Sequence, residues 1–253
     1  MLFVCLLAQF SLPVVARKFV VDNVVVKISS INKTVKVIGP ENRDSFKIDS
    51  LIIPESYDIK GRKYKTISIG GFYRCNSLVY VCLPLTIEKL EKACFQGCIN
   101  IEKLDLPPLV KKIPDLFIET ITQYVLSNDS LRQSSKLASL TLGENVTSIG
   151  DWAFDGNSLQ KIVIPEKVKT IGVSAFASLR TLTEVYCLSS IPPAIDIKYT
   201  ENTQSEVLDW SFQFIGPHNP NLNPLRILYV PYGSRDVYKN APGWCCFDNI
   251  EEF

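Results

Sequence analysis

Apolar residues return along this chain in a fixed phrase: an apolar side chain at relative positions 1, 4 and 6, followed by a proline or a glycine. It is read at Ile48, Leu51 and Ile53 before Pro54, at Leu78, Val81 and Leu83 before Pro84, at Ile101, Leu104 and Leu106 before Pro107, and at Leu137, Leu140 and Leu142 before Gly143. It continues at Leu159, Ile162 and Ile164 before Pro165, at Leu182, Val185 and Cys187, and at Leu225, Leu228 and Val230 before Pro231. Positions 4 and 6 alternate with period two, which predicts a short strand with those side chains turned inward. Proline has no N–H to give a ladder, so it marks where each strand stops.

A second phrase lies between these strands, as "SIGDWAF" at 148–154, "TIGVSAF" at 170–176 and, shortened, "SIGGF" at 68–72. Shifting the chain by 23 residues lays Phe72 on Phe95, Cys75 on Cys98, Leu78 on Ile101, Val81 on Leu104, Pro84 on Pro107, Ile87 on Val110 and Leu90 on Ile113. One fixed period over so many positions indicates a repeat architecture, in which each unit packs mainly on its neighbours. A small residue followed by Phe predicts close backbone approach, with one large ring filling the interior of each coil.

Four of the eight cysteines, Cys75, Cys82, Cys94 and Cys98, fall in one stretch. The spacing of Cys94 and Cys98 suits two thiolates on one zinc ion. Cys82 is nevertheless expected to point outward and the other three inward, so four ligands do not converge and no metal is expected. Cys94 takes the small-residue slot held elsewhere by Gly71, Ala153 and Ala175, the place of a buried free thiol. Cys75 and Cys98 should stack in adjacent coils about 5 Å apart, close enough for a bridge; free thiols are the favoured reading.

The stretch "SIGDWAFDGNSLQKIVIPEKVKTIGVSAF" resembles the BspA-like leucine-rich-repeat proteins, whose repeat reads roughly IGxxAFxxCxxLxxVxIPxxVxxI. The ending "LRILYVPYGSRDVYKNAPGWCCFDNI" resembles the closing segment of bacterial members. The likeness runs from about Ile48 to the C-terminus. It implies a leucine-rich-repeat solenoid: β-rich, with stacked parallel short strands in about seven coils of roughly 23 residues and caps at both ends. For some members it also implies adhesion of host-associated bacteria to extracellular proteins. The chain departs from the pattern by a spacing of 36 between Ile101 and Leu137, a one-residue contraction near Asn157, and long spacers before Leu78 and Leu225.

Four segments follow. Residues 1–16, uncharged and too short to span a bilayer, are expected to be a signal peptide. Residues 17–47 alternate and hold a turn at Ile31 to Lys33, so a β-hairpin N-cap is expected. Residues 48–191 make the solenoid, with an insertion at about 114–136 that either bulges as a binding edge or forms a short helix over the Ile113 to Phe117 turn. Within it, Asp129 to Leu131 resembles an O-glycosylation signal of anaerobic gut bacteria. Residues 192–253 hold the last coil and a C-terminal cap, with Trp244, Phe247 and Ile250 closing the stack beside Tyr238.

Composition narrows the function. A chain of 253 residues, 46% hydrophobic, can bury a substantial core in a single domain. Lys and Arg number 27 against 26 Asp and Glu, so no field of one sign exists to hold nucleic acid. No later apolar run reaches the roughly 20 residues of a transmembrane segment. The single histidine, His218, sits in "GPHNPNLNP" with no nucleophile matched to it. Phosphate-binding glycine motifs, HExxH and calcium loops are missing, so neither an enzyme nor a cofactor is expected.

If positions 1, 4 and 6 face inward, positions 3 and 5 form two outward columns. They supply the candidate ligand-binding residues Tyr80, Lys103, Asp105, Lys161, Glu184, Tyr186 and Tyr229. Seven strands about 4.8 Å apart give a ladder of roughly 29 Å, wide enough for a protein loop or an extended glycan. The expectation is a non-enzymatic binding or adhesion protein, exported to the cell surface, periplasm or medium, whose partner is an extracellular protein or glycan. The alternatives are a structural or assembly protein of the cell envelope, and carbohydrate binding through Tyr80, Tyr186 and Tyr229.

Overall fold

The computed structural model describes residues 17–120, 135–196, 226–245 and 247–253. The expected signal peptide, the insertion residues 121–134 with Asp129 to Leu131, His218 and Leu225 lie outside the described residues.

Strands β1 (Arg17–Val21), β2 (Val24–Ser29) and β3 (Thr34–Pro40) form an antiparallel meander, one strand more than the expected hairpin. The added turn is made by Asp22 and Asn23 at φ 49° and 63°, a left-handed conformation that short polar side chains tolerate. Next come β4 (Ser50–Ile52), β5 (Ser56–Ile59) and β6 (Arg62–Ile69), with β6 parallel to β3 and antiparallel to β5. The N-terminal unit is thereby welded to the first coil by backbone hydrogen bonds.

From β4 onward the chain winds into coils that carry two ladders. The long ladder stacks β4, β7 (Tyr80–Cys82), β9 (Lys103–Asp105) and β11 (Ser139–Thr141), then β13 (Lys161–Ile164), β15 (Glu184–Cys187), β17 (Ile227–Val230) and β18 (Asn249–Glu252), parallel within each group of four. β18 is a rung beyond the seven expected: Ile250, read from sequence as part of a plug, pairs with Leu228 as a strand residue. The short ladder has two residues per coil, in β8 (Lys89–Leu90), β10 (Lys112–Ile113), β12 (Ser148–Ile149), β14 (Thr170–Ile171) and β16 (Ala194–Ile195). β8 continues it from β6, and β10 to β16 pair in parallel.

Between the ladders the phenylalanines stack into a spine. Ring centroids run Phe46–Phe72 5.9 Å, Phe72–Phe95 5.8 Å, Phe95–Phe117 5.8 Å, Phe117–Phe154 6.2 Å and Phe154–Phe176 5.5 Å. All six are buried. Each of the four inner rings therefore has neighbours in the coils above and below, a packing that requires the repeat period. In the first coil the pattern shifts: Ile48, expected inside, is 36% exposed, and Phe46 takes the interior place against Phe72.

The 36-residue spacing interrupts neither ladder, since Lys103 pairs with Ser139 and Lys112 with Ser148. The described coil stops at Thr120, whose N–H donates to the Asp155 carbonyl at 3.0 Å, and resumes at Ser135. Asn157 ties the two sides together. Its Nδ2 donates to the carbonyls of Ile118 (3.0 Å) and Phe154 (2.8 Å), and its Oδ1 accepts from Ser135 Oγ at 2.9 Å. At the C-terminal end, helix α1 (Arg235–Asn240) places Tyr238 edge-on to Trp244 at 5.1 Å. Tyr238 Oη donates to Ser189 O at 2.7 Å and Trp244 Nε1 to Pro193 O at 2.8 Å, so each ring is both buried and satisfied.

Candidate functional site

All seven candidate residues stand on the outward side of the long ladder, in register along its strands. They fall into three groups. Tyr80 is half exposed beside Ser50 and Lys103, with no ring partner among the described residues. Lys103 Nζ meets Asp105 Oδ2 at 3.0 Å, and Thr141 Oγ1 donates to Asp105 Oδ1 at 2.7 Å. The Thr141 hydroxyl, helped by Lys103, holds the Asp105 carboxyl below its ordinary range.

The third group is continuous. Lys161 Nζ lies 3.6 Å from Glu184 Oε2 and 3.9 Å above the Tyr186 ring centre. Tyr186 stacks on Tyr229 at 4.3 Å with planes 12° apart, and Phe253 approaches Tyr186 at 6.2 Å. Desolvation by these neighbours, with the Glu251 charge nearby, raises the Tyr229 phenol above its usual value. Because β13 and β17 flank β15, Lys161 and Tyr229 cover opposite faces of Tyr186, which leaves no open ring face there for a sugar to stack on. The lysines of this surface are neutralised in place, while Ile52, Tyr80, Val163 and Phe253 are left exposed. Phe253 belongs to no copy of the repeat phrase, so sequence reading gave it no place on this face.

The thiol cluster is interior. Cys75, Cys94 and Cys98 are buried and unbonded, with Cys94 Sγ donating to Ile69 O at 3.6 Å and Cys98 Sγ to Phe72 O at 3.0 Å. Burial pushes all three thiols up, which disfavours the thiolate needed for nucleophilic or ligand chemistry. Among the described residues no three His, Cys, Asp or Glu side chains are grouped to hold an ion, and no helix is long and apolar enough to cross a membrane.

A groove of about 1100 Å³ lies over the short ladder, from Glu88 to Asp196, and none of the seven candidate residues lines it. Sequence reading missed it because each strand there has two residues, too few to show alternation. Along it, Gly150 and Gly172 mark where one coil closes tightly on the next. A Cβ at Gly150 would stand 2.5 Å from the Asp115 backbone nitrogen, and one at Gly172 2.5 Å from that of Asp151. Those aspartates cross the glycines to accept hydrogen bonds: Asp115 Oδ1 from Asp151 N at 3.1 Å, and Asp151 Oδ1 from Val173 N at 2.9 Å. The glycine of "SIGD" and "TIGV" is thus dictated by the aspartate one coil earlier.

Comparison with known proteins agrees with this architecture. A leucine-rich-repeat protein from Bacteroides ovatus is 22% identical, with a TM-score of 0.58 over 93% of this chain and 53% of its own; the chain thus spans about half the length of that relative. A Treponema pallidum leucine-rich-repeat protein is 21% identical over 64% of this chain and 67% of its own, at a TM-score of 0.49. A leucine-rich cell surface protein of Faecalibacterium prausnitzii is 15% identical over 96% and 77%, at 0.44. No curated protein matches the chain. The family profile of the BspA type leucine-rich repeat region matches residues 38–131 and 117–203, with six copies. With its phenylalanine spine, its two parallel ladders and this match over more than half its length, the chain belongs to the BspA-type leucine-rich-repeat family.

Proposed function

We propose that this chain is a non-enzymatic recognition protein, exported or displayed at a cell surface, that engages an extracellular protein through the outward face of its long ladder. One observation carries the reading: Lys103 and Lys161 are paired within the face, while Tyr80, Ile52, Val163 and Phe253 remain exposed beside them. A surface of exposed aromatic and aliphatic anchors with few free charges is the chemistry of a protein contact. Glycan binding draws less support, since Tyr186 has both ring faces covered.

The test is a binding panel of extracellular-matrix proteins and glycans against the wild type and a variant carrying Tyr80→Ala, Lys103→Ala, Lys161→Ala and Tyr186→Ala. Equal folding by circular dichroism is the control. The expected result is a protein hit that the variant loses and that changes little between low and high salt. A hit retained by the variant, or a glycan hit in its place, refutes this use of the face. No hit, together with concentration-dependent oligomers, turns the assignment to envelope assembly.

A further inference from the structure

We propose that the outer face of the N-terminal sheet, made by β1, β2 and β3, is a docking surface for an anionic phospholipid bilayer. It goes beyond the long-ladder reading and uses none of its residues. The strand register sets Lys18 opposite Lys27 and Lys27 opposite Lys36, so lysines on three neighbouring strands form one row across the sheet. All three are exposed, while Phe19, Val26, Ile28, Val35 and Val37 beside them are buried on the other side. At about 4.8 Å per strand the row is roughly 10 Å long. Like charges directly opposite one another destabilise a sheet, so nothing in the packing of these strands calls for such a row.

The chain itself does not neutralise it. Residues 17–40 hold five Lys and Arg against one acid, Asp22, which stands in the β1–β2 turn four residues beyond Lys18. Of the acids on adjoining coils, Glu88 is paired with Lys65 at 3.2 Å, and Glu91, which feels the charge of Lys36, is already held by Lys89 (2.9 Å) and Ser68 (2.9 Å). Lys18, Lys27, Lys33 and Lys36 have no ion pair among the described residues. This excess of positive charge calls for a polyanion. Apolar groups choose which one. Ile31, in the β2–β3 turn close to Lys33, is 75% exposed, and Val20 and Val25, opposite each other two residues from the lysines, are partly exposed on the same side as the row. Sulfated glycans and nucleic acids offer nothing to aliphatic side chains, and no aromatic residue stands on this side of the three strands for a base to stack on. A bilayer takes both kinds of group: headgroup phosphates meet the ammonium groups, and Ile31 enters the boundary between headgroups and acyl chains.

The experiment sediments the full chain with vesicles of mixed phosphatidylglycerol and phosphatidylcholine, beside vesicles of phosphatidylcholine alone and a heparin oligosaccharide as comparison probes. The mixed vesicles are expected to carry the protein down and the uncharged ones to leave it in solution. Lys18→Gln, Lys27→Gln and Lys36→Gln together are expected to weaken binding about a hundredfold, at about fivefold for each lysine, and raised salt to weaken it as well. Ile31→Ser is expected to weaken it about tenfold. Lys27→Gln alone separates folding from binding: it removes two like-charge neighbours, so the urea midpoint should hold or rise while vesicle binding falls. The long-ladder variant is expected to bind the vesicles as the wild type does, so the two readings fail separately. Residues 1–16 are uncharged, so attachment through them would ignore lipid charge. Equal sedimentation with both vesicles, binding unchanged in the triple-lysine variant or in Ile31→Ser, or preference for heparin at equal concentration of anionic groups would overturn the proposal.

Discussion

Asn157 occupies the place that Cys75, Cys98 and Leu179 hold in other coils, three residues after the spine phenylalanine. It is 2% exposed and makes three hydrogen bonds, to Ile118 O, Phe154 O and Ser135 Oγ, which join the two described sides of the insertion. Asn157→Ala removes all three. At about 1 kcal/mol net for each bond, the loss is about 3 kcal/mol. Asn157→Leu copies Leu179 and removes the same bonds, but it regains about 2 kcal/mol from apolar burial, leaving a net loss of about 1 kcal/mol. Hydrogen bonding wins here because the groups it satisfies stay buried when it is removed. Urea denaturation followed by far-ultraviolet circular dichroism reads both as midpoint shifts, in the order wild type, leucine, alanine, and equal slopes are required for the comparison. A leucine variant at or above the wild-type midpoint would refute the reasoning, because packing would then outweigh the polar staple.

Phe154→Ala truncates a fully buried spine ring with ring neighbours on both sides, and is expected to cost about 3–5 kcal/mol in the same assay; a loss under about 1 kcal/mol would mean the spine adds little to cohesion. Burial raises the Cys187 thiol to about 11, against opposing hydrogen bonds from Tyr238 and Ser189. The unfolded thiol ionises near its ordinary value of about 8.5, so the unfolded chain releases this proton first. Stability from this group is whole below about pH 8.5 and drains as pH rises toward 11, at no more than about 1.4 kcal/mol per pH unit. Cys187→Ala should flatten that decline between pH 8 and 10.5, and identical pH profiles would disprove the assignment.

Much of the long ladder can be read from residue order alone. Leu104, Ile162 and Val185, each at the fourth position of the phrase, and the spine residues Phe95 and Phe154 recur because each must meet its copy one coil away, and a steric demand of that kind leaves a period in the sequence. The candidate face was legible as two columns, since alternation fixes which side a strand residue takes. Its internal pairing was not: Lys161 covers Tyr186 while Lys103 turns to Asp105, and neither choice of rotamer and neighbour is visible before the coils are stacked. The short ladder escaped notice because two residues per coil carry no alternation, and Asn249–Glu252 because the phrase is too degenerate there to align.

By itself, then, the sequence determined the architecture, the inward and outward sides of each long strand and the buried character of Cys75, Cys94 and Cys98, all of which follow from local periodicity repeated along the chain. Tertiary structure alone decided the relations between coils. Asp115 reaches over Gly150, Asn157 bridges 39 residues to Ile118, and Tyr186 is sandwiched between residues of two other strands. The groove likewise exists only when glycine, small and lysine positions from successive coils are stacked side by side. A repeat sequence specifies its unit strongly because every copy must satisfy the same packing, whereas a surface is a sum over different copies, and that sum is set by how the units are superposed in space.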